Sequence, residues 1–205
     1  MKEIVEALQN RHPLQDLNPK AVWDAELDRK IEALSADMLG ASGSEQEAYA
    51  LAFISGLHLW NDSLDKCHDI LQDPILYDHH ATGNYWHAIM HRLESDYNNS
   101  RDWFGDLVHP VFEELHEQVT ALLKSEVPFD SLKQTEVTMA LEKMRRQTAW
   151  DPYLFINAVE SQSAEGKDPF TQLVLQKIQW LEMALLLRFT YNKSCGKMIL
   201  DDIHR

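Results

Sequence analysis

Helix punctuation constrains this chain more than any other feature. Asn18-Pro19, Asp151-Pro152 and Asp168-Pro169 each place a capping side chain before a proline at the first helical position. His109-Pro110 repeats the form with a weaker cap, and Ser44 followed by Glu47 has the spacing of a capping box. Only seven glycines occur, and Gly40 and Gly196 stand where helices would stop. Between these marks the apolar residues recur with helical spacing. Trp23, Leu27, Ile31, Leu34 and Met38 form one stripe, and Phe112, Leu115, Val119 and Leu122 form another. Phe170, Leu173, Val174, Ile178, Leu181 and Leu185 form a third, on the longest apolar segment. The spacing predicts helices near 2–10, 19–39, 45–72, 85–97, 100–107, 110–125, 131–147, 152–162 and 169–193. The expected fold is all-α, a single compact multi-helix domain of about seven to nine helices spanning residues 1–205.

Composition narrows the function classes. A net charge of −14 argues against nucleic acid, because phosphate contact needs clustered Lys and Arg, and equally against an anionic membrane surface. The apolar run Met183 to Leu187 is far too short to span a bilayer. The two cysteines, Cys67 and Cys195, have neither metal-type spacing nor a disulfide pattern. The first residues, Met1-Lys2-Glu3-Ile4-Val5-Glu6, lack the apolar run of a signal peptide, so the expected setting is cytoplasmic.

Seven of the ten histidines fall between His58 and His109. On the helix near 45–72, read at about 100° per residue, His58, Asp62, Asp65, Asp69 and Gln72 share one stripe. A solvated face is the simple reading. Leu51 and Ile54 project on the same side, however, so the helix begins apolar all round, and a polar stripe continuing a buried face must find partners. On the helix near 85–97, His87, His91 and Glu94 project together, at i, i+4 and i+7. Two imidazoles one turn apart can chelate a cation, with the carboxylate as third ligand or general base. Ala88 stands where the zincin motif carries its glutamate, so that chemistry is not implied. The connection 73–84 is long for a helical domain, and its His79 and His80 could close a site built on the two flanking helices.

Other patterns carry less. Glu113 and His116 make one Glu-x-x-His unit, whereas di-iron bundles use two such units and two further glutamates. Glu182 is the only obvious extra, so His116 reads as a core histidine with a hydrogen-bond partner. His68-Asp69 resembles the dyad of HD phosphohydrolases, but that family expects a histidine well upstream. His58 is too close, and only His12 lies further back. No phosphate loop, serine elbow or cysteine-nucleophile context is present.

The block Tyr85-Trp86-His87-Ala88-Ile89-Met90-His91-Arg92, continued by Glu94, Asp96-Tyr97, Asn99, Trp103-Phe104 and His109-Pro110-Val111-Phe112, is similar to a segment of uncharacterised all-α proteins. The resemblance covers roughly residues 56–115 and implies no activity and no catalytic residue.

These readings converge on one expectation. A divalent ion (Zn, Mn or Fe) or a small polar molecule would sit between the 45–72 and 85–97 helices. His58, Asp62, His87 and His91 are its candidate ligands, and Glu94 and Asp65 its candidate catalytic carboxylates. Metal-assisted hydrolysis is the reaction class that fits. The alternative is a non-catalytic interaction protein forming a homodimer through its 169–193 helix.

Overall fold

A computed structural model describes residues 1–77, 80–164 and 168–195. Within them lie ten α-helices and no strand, so the all-α expectation holds. The helices are α1 (Lys2–Gln9), α2 (Ala25–Glu32), α3 (Ser44–Trp60), α4 (Leu64–Leu71), α5 (Ala81–Glu94), α6 (Tyr97–Phe104), α7 (Val111–Glu126), α8 (Glu136–Arg146), α9 (Pro152–Ala164) and α10 (Pro169–Cys195). No helix among the described residues is long and apolar enough to cross a membrane.

The core is built on α3 and α10, which pack along one another. Phe53, Ile54, Leu57, Leu59 and Trp60 of α3 are buried, as are Leu175, Ile178, Met183, Leu186 and Leu187 of α10. Such burial on most sides is what largely apolar helices require, and it places α3 and α10 at the centre of the core. α5 lies against α3 on one side and against α4 and α6 on others. A Cβ at Gly56 would stand 2.6 Å from Trp86 Cζ2, so α3 and α5 approach through a position only glycine fits. Buried Arg92 of α5 pairs with buried Glu182 of α10 at 2.5 Å, and the Tyr85 hydroxyl donates to the same carboxylate at 3.1 Å. These bonds tie the long axis of α5 to the core.

The caps explain where the sequence reading held. Asp151 accepts from Leu154 N at 3.2 Å and Asp168 from Thr171 N at 2.8 Å, at the starts of α9 and α10. Elsewhere tertiary bonds overrode local pattern. The expected 19–39 helix shrinks to α2 plus a 3₁₀ turn at Asp37–Leu39, and Asp24 rather than Asn18 caps it. Ser44 makes no capping box; instead the Gln46 side chain accepts from Ser42 N.

The expected helix over 45–72 is broken, and this correction matters most. At Asn61-Asp62-Ser63 the chain leaves the helix, with Asp62 at φ 61. Asn61 bonds residues 23 and 24, its carbonyl accepting from Trp23 N at 3.0 Å and its amide donating to Asp24 O at 2.9 Å. The Asp62 carboxylate accepts from Arg11 at 2.8 Å and from Gln15 at 2.7 Å. Asn61 and Asp62 are thus held by the N-terminal segment, and α4 starts with its own rotational phase. A stripe drawn straight from His58 to Gln72 does not exist.

Candidate metal centre

α5 brings His87 and His91 one turn apart, with rings stacked at 14° and centroids 5.0 Å apart. α4 presents His68 to both, its centroid 5.1 Å from that of His87 and 5.7 Å from that of His91. One ligand nitrogen from each of the three lies within 4.8 Å of the others. A described His triad therefore stands where a metal ion could be held.

Local structure explains the arrangement. His80 starts α5 by accepting from Gly83 N at 3.1 Å. The helix stops at Ser95, at φ 71, and Asp96 caps α6 at once by accepting from Asn99 N at 3.2 Å. This two-residue reversal folds α6 back onto α5, where the Ser100 hydroxyl donates to Ala88 O at 2.7 Å. Trp103 is then laid over His87, with centroids 3.8 Å apart at 18°, and Tyr77 packs edge-on to Trp103 at 5.5 Å.

The three imidazoles differ in their partners. His91 Nδ1 donates to Glu94 at 3.2 Å, which orients the ring and leaves Nε2 with a lone pair. The Asn99 amide lies 3.1 Å from that Nε2, and the Gln72 amide lies 3.0 Å from His68 Nε2. The Gln72 amide donates to a lone pair that a cation could use instead, whereas the Asn99 amide lies across the His91 ring, also 3.3 Å from Nδ1. His87 is 2% exposed and makes no hydrogen bond to the described residues. Burial, then the positive potential of His91 and His68, pushes its pKa down to about 3. Burial also lowers that of His91, against the opposing pull of Glu94. Both rings are neutral at pH 7, the protonation state a metal ligand needs.

The six site residues expected from sequence are not gathered together. His87 and His91 belong to the triad, and Glu94 is bonded to His91. His58, 2% exposed, donates from Nδ1 to Asp28 at 2.9 Å, and Lys66 closes on the other Asp28 oxygen at 2.9 Å. Asp62 is committed to Arg11 and Gln15. Asp65 is exposed on α4, one turn before His68, and its carboxylate is outside the grouped ligand atoms. His79 lies outside the described residues, and His80 serves as the α5 cap. His116 is half-buried and makes no hydrogen bond to the described residues, contrary to its reading as a bonded core histidine. Glu182 is taken up by Arg92 and Tyr85.

His68 is the ligand that sequence reasoning missed. On an unbroken helix it stands about 80° from His58, ten residues at about 100° each, and so falls off the polar stripe. The signal that could have found it is Asn61-Asp62-Ser63, three residues that favour caps and turns over helix interiors.

No family model matches the chain, and no curated protein or solved structure is significantly similar to it.

Proposed function

We propose that this protein binds a divalent transition-metal ion through His68, His87 and His91. The observation carrying this reading is the convergence of three imidazoles, one ligand nitrogen of each within 4.8 Å of the others, with the buried His87 making no hydrogen bond to the described residues. A shared cation would take one nitrogen from each of the three rings at once. Tetrahedral ligation at about 2.0–2.1 Å puts ligand nitrogens about 3.3 Å apart, so side-chain shifts on the order of 1 Å complete the site. All-imidazole ligation suits zinc, copper, nickel or iron better than magnesium or calcium. Three protein ligands leave one position for water or substrate, the arrangement used in metal-assisted hydrolysis. Glu94 acts in this scheme by orienting His91.

Protein made without an affinity tag, stripped with chelator and titrated with Zn(II), tests the assignment. The stripped chain should take up one equivalent. His68→Ala, or His87→Ala with His91→Ala, should weaken uptake at least about a hundredfold while circular dichroism keeps its helical form. Retention of wild-type affinity in these variants would sink the proposal.

Phe170 and Leu173 at the start of α10, 36% and 45% exposed, favour a second reading. There the chain pairs with a copy of itself through that end of α10, and the histidines play no part.

A further inference from the structure

His58 belongs to a different place in the fold, and its surroundings describe a second site. The 3₁₀ turn after α2, together with α3 and α4, encloses a cleft of about 530 Å³. Leu51, Ile54 and Ile70 supply apolar wall, and His58 lies at the buried end. Its Nδ1–H is committed to Asp28, so the other ring nitrogen, Nε2, carries the lone pair. That nitrogen makes no hydrogen bond to the described residues and is not sealed from solvent. A carboxylate holding an imidazole by one nitrogen while the other meets a cleft is a pre-oriented acceptor. It calls for a ligand that donates N–H or O–H.

Charge decides between these donors. Asp37, Glu47 and Asp69 stand exposed around the cleft and make no ion pair with the described residues. Among the described residues lining it, the one cation, Lys66, is engaged by Asp28 and Glu32. The potential at the mouth is therefore negative, which attracts cations and repels anions.

We propose that this cleft binds small primary alkylamines, with the ammonium donating to His58 Nε2 and the alkyl chain lying against Leu51, Ile54 and Ile70. The site shares no residue with the His68–His87–His91 triad, so it stands or falls independently of the metal.

The test uses the full chain at pH 7.5 with chelator present, so that no amine–metal contact contributes. Imidazole ¹⁵N resonances are followed during titration with n-hexylamine, n-hexanol and n-hexanoate. The expected result is a saturable shift at His58 Nε2 with n-hexylamine, at a Kd at least about tenfold below that of n-hexanol, and none with n-hexanoate. Leu51→Trp fills the cleft without touching the Asp28–His58 pair and should raise the n-hexylamine Kd at least about tenfold. His58→Phe should do the same, and if it does not fold, Leu51→Trp carries the result. Absence of a saturable shift at His58, equal or tighter binding of the alcohol or the carboxylate, or an unchanged Kd in Leu51→Trp would each overturn the proposal.

Discussion

Asp62 serves two structural needs at one position. Its backbone takes the left-handed conformation that ends α3, which aspartate tolerates better than most residues. Its carboxylate neutralises Arg11, whose guanidinium also donates to Trp60 O at 2.7 Å and lies 4.7 Å from the Trp23 ring centroid. Both side chains of the ion pair are nearly inaccessible, at 4% and 5% exposure. Removing one partner leaves an uncompensated buried charge. Asp62→Ala should therefore lower the unfolding free energy by about 3–5 kcal/mol in urea denaturation. Asp62→Asn, which keeps the left-handed tolerance and part of the hydrogen bonding, should lose less. Equal losses in the two variants would mean that the left-handed tolerance and the residual hydrogen bonding contribute nothing beyond the charge.

At the level of elements, the contact between α3 and α5 depends on Gly56. Gly56→Ala would normally favour a helix, yet here the added methyl meets the buried Trp86 indole. A net destabilisation of about 1–3 kcal/mol is expected from overpacking, read as a lowered melting temperature. A gain in stability would show that the indole has room to move. Such contacts also mark what the sequence could not disclose. α7, α9 and α10 were legible because prolines and capping residues at their starts act locally. α2 was not, because Asn61, far along the chain, pulls residues 23 and 24 out of the helix. The candidate site divides along the same line. His87 and His91 are paired by helix periodicity alone, whereas His68 joins them only through a break stabilised by Arg11, Gln15 and Asp24. Glu94 and its i,i+3 bond to His91 follow from spacing within α5, whereas the Trp103 cover depends on the turn into α6.

Across the described residues, several imidazoles are held in neutral form by burial. Burial lowers the pKa of His58 and His80, takes that of His109 down to about 4, and takes that of His87 to about 3. Unfolded, each titrates near 6.5. Between these limits the unfolded chain binds more protons than the folded one, so stability falls as pH falls. Thermal melts in chelator should hold roughly level above pH 7 and decline steadily from about pH 6.5 toward pH 4. A melting temperature that stays constant through that window would contradict the burial of neutral histidine. The break between α3 and α4 bears on how such a molecule can change over generations. A residue gained or lost within 61–63 would disturb the bonds that set where α4 begins and so change its rotational phase. His68 would swing away while α3 and α10 kept their packing. The triad is thus encoded in a count of residues as well as in three histidines. A chain could gain or abandon it by a single-codon insertion or deletion that leaves every histidine in place.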